Sequence, residues 1–226
     1  MTPPRISTGI PALDTALSGG LSAGAVLLVA ENSIDAARLM QTVLLNLRHE
    51  NKEAFYITSK KSAASQAAEF KARLGDAEGM DACIFDAGVP DENALDRVLE
   101  KIAAYPAGCS VFLDSLTSYV PFAEQNFTLF LQKTNKALRE FSEKNITCIF
   151  LLAAGAFTKE HEVCFTDLFS HILRLSQESS EQKPKRILSI ESVSQDVSLS
   201  PREELQLSAS LSPDGTVALS HLRRIR

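Results

Sequence analysis

Residues 26–47, VLLVAENSIDAARLMQTVLLNL, run from an apolar strand through a short polar turn into a helix. This is the frame in which a glycine-rich loop cradles phosphates. The turn here is Glu31-Asn32-Ser33-Ile34-Asp35, followed by Ala36, Ala37 and Arg38, with no glycine and no Gly-Lys-Ser/Thr after it. Glycines let backbone N–H groups curl around phosphate oxygens, a lysine answers the β- and γ-phosphate charge, and a Ser/Thr hydroxyl ligates Mg²⁺. Glu31 or Asp35 facing a triphosphate would instead repel it by ~1 to 4 kcal/mol per unit charge at about 4 Å. The turn therefore predicts phosphate affinity reduced by several orders of magnitude.

Other residues could carry chemistry. An apolar run over 110–113 ends at Asp114. This carboxylate either holds Mg²⁺ through water or satisfies backbone and hydroxyl donors where a buried strand ends. Lys60 and Lys61 follow another strand, and Arg38 lies early in a helix whose N-terminal N–H groups favour anions. These cations either bind a phosphate in a new geometry or form solvated surface. Cys83, Cys109, Cys148 and Cys164 lie far apart, without a CxxC pair or a histidine at ligand spacing, and read as buried reduced thiols. His161-Glu162 lacks a second ligand at metal spacing and reads as loop surface. Ser115 and Ser118 have no Gly-x-Ser-x-Gly elbow around them, which argues against a serine hydrolase. The basic runs 183–186 and 221–226 lack interleaved aromatics and read as solvated surface rather than a single-strand binder.

The elements that must position these residues follow from the apolar pattern. Strands are expected over 25–30, 54–58, 83–85, 110–113, 146–153 and 168–175. Helices are expected over 35–49, with Leu39, Val43 and Leu47 as a stripe, then 61–74 stopped by Gly75, 91–104 and 127–141. That alternation is the βαβ pattern of a mostly parallel sheet. Residues 177–185 are polar and contain Pro184, so a loop is expected. Residues 186–193 and 205–211 then alternate, and Pro213-Asp214-Gly215 turns the chain before 216–219, predicting antiparallel strands at the sheet edge. No repeat or linker divides the chain, so one domain over 1–226 is expected, with a core at about 5–176 and a C-terminal hairpin region at about 186–220.

Composition sets limits. A net charge of −5, from 23 Lys+Arg against 28 Asp+Glu, argues against broad nonspecific nucleic-acid binding. No apolar run reaches the ~18 to 20 residues that span a bilayer and no basic-then-apolar leader opens the sequence, so a cytoplasmic protein without membrane insertion is expected.

Ser7-Thr8-Gly9-Ile10-Pro11-Ala12-Leu13-Asp14, then Gly19-Gly20-Leu21 and Gly24 before the apolar strand, resemble the opening of the KaiC/RadA branch of the RecA-like ATPases. Phe112-Leu113-Asp114-Ser115-Leu116-Thr117 resembles that family's Walker B strand, residues 168–175 the strand after its last core helix, and 199–219 its closing hairpin. The similarity covers most of residues 5–220. It implies a RecA-like three-layer sandwich: a central, mostly parallel sheet flanked by helices, assembled into rings or filaments with ATP between subunits.

The same resemblance implies where catalysis would sit. The family's Gly-x4-Gly-Lys-Thr falls on residues 31–38, or one position earlier on 30–37, and neither register supplies a glycine or the lysine. The glutamate pair expected after the second strand is Lys60-Lys61, and an ammonium cannot accept a proton from water. The polar sensor position falls in Leu151-Leu152-Ala153-Ala154-Gly155, and the family's Lys-x-Arg falls on Glu191 and Val193. Of that kit Asp114 remains. The expectation is a pseudo-ATPase without catalytic residues, cofactor or bound metal, acting as a regulatory or assembly subunit. Its partner would be itself or an ATP-competent relative, as with degenerate members of the superfamily in recombination-mediator and Elongator-type assemblies. The alternative is a divergent ATPase in signalling, motility or DNA recombination, using ATP and Mg²⁺ held at 31–38, Lys60, Lys61 and Asp114. Nucleic acid is the less expected partner.

Overall fold

The computed structural model describes residues 5–74, 81–178, 185–192, 204–211 and 217–225. In chain order these form β1 (Arg5–Ile6), α1 (Pro11–Ala16), β2 (Leu21–Ser22), β3 (Gly24–Ala30), α2 (Ser33–His49), β4 (Ala54–Thr58) and α3 (Ala63–Leu74). They continue with β5 (Ile84–Asp86), α4 (Ala94–Ala103), β6 (Ser110–Asp114), α5 (Val120–Ala123), α6 (Phe127–Glu143), β7 (Thr147–Ala153) and α7 (Lys159–Thr166). The last four are β8 (His171–Glu178), β9 (Lys185–Ser192), β10 (Glu204–Leu211) and β11 (Val217–Ile225). Nine strands share one sheet in the order β11-β10-β9-β8-β3-β7-β6-β4-β5. From β8 to β5 every pairing is parallel, while β8, β9, β10 and β11 pair antiparallel. This is the expected mixed α/β sheet with antiparallel strands at one edge.

Burial on both faces explains why the parallel strands are continuously apolar. All seven residues of β3 are buried. Because side chains alternate along a strand, Val26, Leu28 and Ala30 pack with the Leu39-Val43-Leu47 stripe of α2 on one face. Ala25, Leu27 and Val29 join Leu99 of α4 and Leu138 and Phe141 of α6 on the other. Each such leucine or phenylalanine contributes about 1.5–3 kcal/mol when fully buried. The position of the turn after β3 is therefore fixed by packing.

The glycine-rich opening motif locks the N-terminal segment onto α2. The Asp14 carboxylate accepts hydrogen bonds from Thr8 N–H at 2.7 Å, Thr8 Oγ1 at 2.8 Å and Ser7 Oγ at 2.7 Å. Asn46 Nδ2 of α2 donates to the Thr8 carbonyl at 3.0 Å. Gly9 (φ +70°) lies where a Cβ would come within 2.4 Å of Asn46 Cβ, so the approach requires glycine.

Several boundaries differ from expectation for local reasons. α2 starts at Ser33 rather than Asp35, because the Asn32 side chain caps the Ile34 N–H at 3.0 Å. α3 starts at Ala63 rather than Lys61. α4 starts at Ala94 rather than Asp91, whose carboxylate accepts from the Asn93 N–H at 2.9 Å and holds a turn. Asp81–Cys83 is a 3-10 turn, with the strand following at Ile84. β8 begins at His171 rather than 168, since Phe165, Thr166 and Phe169 still belong to the turn closing α7. Around His161 the expected loop is the helix α7, capped by the Thr158 hydroxyl. Three cysteines are buried, but Cys164, on that helix, is exposed. The expected stop at Gly75 and the turn at 213–215 lie outside the described residues. Among the described residues no helix is long and apolar enough to cross a membrane.

Tyr56 and Tyr119 are buried in this core, Tyr105 packs half-buried against it with its ring stacked on Phe55, and none ionises easily. Burial, then the field of Asp114, holds the Tyr56 phenol well above its ordinary range. Burial pushes Tyr105 and Tyr119 up to about 12 each. An unfolded phenol ionises near about 10. Folding stability is thus unaffected by these groups below pH ~10 and is lost as pH rises towards 12. The chain has no tryptophan, so tyrosinate absorbance reads directly. The folded protein is expected to titrate at about pH 12 or above and the urea-unfolded chain near 10. A tyrosine ionising near 10 in the folded protein would contradict this packing.

Candidate functional site at the carboxyl edge of the sheet

The residues predicted from sequence come together where β3, β4 and β6 end, because parallel pairing places those ends side by side. Thr58 of β4 lies opposite Asp114 of β6, so the residues just after Thr58 emerge beside the Asp114 carboxylate. Asp114 is 6% exposed. Its Oδ2 accepts a hydrogen bond from the buried Tyr56 hydroxyl at 2.8 Å. Its Oδ1 lies 3.1 Å from Lys60 Nζ, an ion pair whose alignment falls short of a hydrogen bond. Both carboxylate oxygens are thereby engaged.

Ser59 secures the same strand end. Its N–H donates to the Asp114 carbonyl at 2.8 Å, and its hydroxyl accepts from the Ser115 N–H at 2.9 Å. Thr117 Oγ1 accepts from the Ala153 N–H at 2.8 Å, tying the segment after β6 to the end of β7. Lys61 pairs with Glu69 of α3 rather than reaching towards the turn after β3.

That turn is pinned from the opposite side. The Glu31 N–H donates to the Leu175 carbonyl at 3.1 Å, and Glu31 Oε2 accepts from the Gln177 N–H at 2.8 Å, fastening it to β8. Asp35, 4% exposed, lies 2.5 Å from Arg186 Nε of β9 and 3.7 Å from Arg38 Nη1. Arg186 is therefore a partner of a buried carboxylate, correcting its reading as solvated surface; Lys183 and Pro184 lie outside the described residues. Glu191 pairs with Arg174 Nε at 2.7 Å, and Val193 lies outside the described residues. His161 Nδ1 contacts Glu124 Oε2 at 2.8 Å while its ring stacks on Phe127.

A cavity of about 140 Å³ lies between the turn and the end of β6. Of the predicted residues it gathers Ser33, Ile34, Ala37, Lys60, Lys61 and Asp114. Glu31, Asn32, Asp35, Ala36 and Arg38 do not line it. Gln41, Gln66 and Glu69 do, and sequence reasoning missed them along with Tyr56 and Ser59. Two ammoniums face two carboxylates here, so the lining carries no net charge. Ile34, 65% exposed, stands at its mouth. Among the described residues no group of three or more His, Cys, Asp or Glu could hold a metal ion.

The family described as "Family of unknown function (DUF7125)" matches residues 5–218. Among solved structures, that of a KaiC-like protein from the hyperthermophilic archaeon Pyrococcus horikoshii OT3 aligns with a TM-score of 0.76 at 17% identity. The alignment covers 96% of this chain and 99% of that one. No curated protein matches the chain. At that identity the likeness carries the fold, and the fold is KaiC-like within the RecA class.

The Asp35–Arg186 pair joins α2 to the antiparallel edge, and breaking it leaves a buried carboxylate with one distant cation. Arg186→Met is expected to lower unfolding stability by about 3 kcal/mol. Adding Asp35→Asn should recover most of the loss, both read from urea denaturation midpoints. A single variant within about 0.5 kcal/mol of wild type would contradict this pairing.

Proposed function

The chain belongs to the family of unknown function DUF7125, and we propose that it is a noncatalytic RecA/KaiC-like protein, a pseudo-ATPase working as a regulatory or assembly subunit through protein–protein contact. The observation that carries this reading is the environment of Asp114. In a phosphoryl-transfer site that carboxylate would help hold Mg²⁺, with lone pairs free for the ion or its waters. Here one oxygen accepts the Tyr56 hydroxyl and the other faces the Lys60 ammonium. The lysine stands where a metal's charge would be needed.

The turn after β3 supports the same reading. The Ile34 N–H is taken by the Asn32 side chain, the Ala36 N–H by the Asn32 carbonyl and the Glu31 N–H by Leu175. These amides do not converge on an anion. A cavity of about 140 Å³ also falls below the ~300–1,000 Å³ typical of small-molecule sites. A magnesium triphosphate does not fit this arrangement. The reading leaves association as the use of the fold, with the chain itself or an ATP-competent relative as partner, in a soluble, cytoplasmic setting.

Isothermal titration with Mg-ATP tests it. The expected result is no saturable heat at micromolar nucleotide and no phosphate release. The overturning result is micromolar binding that disappears when Arg38, Lys60 and Lys61 are replaced by alanine, which would establish the divergent ATPase instead. Salt-sensitive shifts of DNA in the absence of any partner protein would favour a role in recombination.

A further inference from the structure

The exposed large apolar side chains among the described residues are Ile34, Val89, Leu129 and Val163. They lie on the connections that follow β3, β5, β6 and β7, all at the carboxyl end of the parallel strands. Between two of these connections, at the starts of α4 and α6, lies a second cavity of about 260 Å³, larger than the one beside Asp114. Its lining combines Leu95, Phe122, Leu129 and Phe130 with the carboxylates of Asp91, Glu92 and Asp96. Leu95 and Phe130 are buried, Leu129 is 42% exposed at the rim, and Val89, two residues before Asp91, is 85% exposed.

The charges are partly answered from within. Arg97 donates to both oxygens of Asp91 at 3.1 and 2.9 Å, and Lys133 Nζ lies 2.5 Å from Asp96 Oδ2. Glu92 is exposed and takes part in no ion pair among the described residues. The three carboxylates against Arg97 and Lys133 leave one negative charge over an apolar floor. A group that suits both features has an aliphatic stem to cover Leu95 and Leu129 and a cationic head to reach Glu92. Arginine fits best, since its planar fork bonds a carboxylate through two donors and its face packs on aromatic rings such as Phe122.

We propose that this cavity is a docking pocket for an arginine side chain presented by a partner protein, with Val89 and Leu129 receiving the partner's flanking aliphatic residues. The pocket is separate from the Asp114 cavity, and it holds whether or not nucleotide binds there. The occupant is a different protein, because the net charge of −5 on this chain favours a basic partner over a second copy.

Methyl-detected NMR titration with N-acetyl-arginine methylamide tests the proposal, with the norleucine analogue as the uncharged control. The expected result is saturable shifts of the Leu95 and Leu129 methyls at millimolar ligand, a range suited to so small a fragment. The norleucine analogue should bind about tenfold more weakly, and Glu92→Lys, a surface change that spares the core, should reduce arginine binding by a similar factor. Leu129→Lys provides a second variant with the same expected loss. Equal binding of the two analogues, or unchanged binding by both variants, overturns the proposal. So does light scattering that shows a dimer lost in Glu92→Lys, which would make a second copy the occupant.

Discussion

A carboxylate at the end of a strand buried on both faces must be answered by hydrogen bonds or by opposite charge. Asp114 is that carboxylate, and much of the carboxyl edge is arranged around it. Tyr56 reaches it from within β4, two residues before the strand ends, at 2.8 Å. Lys60 returns to it from two residues beyond the same strand, at 3.1 Å. Ser59, between them, holds the backbone of Asp114 and Ser115. β4 and the two residues after it thus supply the hydroxyl, the clamp and the cation, because parallel pairing sets Thr58 opposite Asp114. Removing one partner of a buried pair leaves an uncompensated charge, which is far more destabilising than the pair is stabilising.

The turn after β3 follows the same logic from the other side of the cavity. Glu31 and Asp35 would repel a phosphate placed between them, yet each has a structural partner: Gln177 on β8 for the first and Arg186 on β9 for the second. Acidic side chains that read as obstacles to a ligand are fasteners: Glu31 ties the turn after β3 to β8, and Asp35 ties α2 to β9. The strand and helix persist because β3 lies mid-sheet and its side chains fill both cores. Packing holds this frame in place, and the polar contacts around the turn are made within the chain.

Much of the fold was legible in the sequence. The apolar runs of β3, β6 and β7 and the Leu39-Val43-Leu47 stripe carry strong periodic signals, and alternation near the C-terminus marked the antiparallel strands. Boundaries were less legible where a single side chain decides them, as with Asn32 at α2 and Asp91 before α4. α7 escaped notice because Lys159–Thr166 is short and only Phe165 and Thr166 are buried on it, leaving little stripe to read. In the candidate site, Asp114, Lys60 and Lys61 stood out by type. Their mutual geometry did not, since it depends on which strands pair and in what register. Tyr56, Gln41 and Gln66 look like ordinary residues of a strand and two helices until β4, α2 and α3 are placed around the cavity. Arg186 was misread for the same reason: its carboxylate lies 151 residues away in sequence.

In the proposed pseudo-ATPase, Lys60 rather than a metal ion balances the charge of Asp114. Crystals grown with Mn²⁺ and a nonhydrolysable ATP analogue, measured at a wavelength where manganese scatters anomalously, test it most directly. The expected result is Lys60 Nζ beside Asp114 in the density and no anomalous peak at that carboxylate. A manganese peak against Asp114, with Lys60 displaced and phosphate density along the turn after β3, would contradict it.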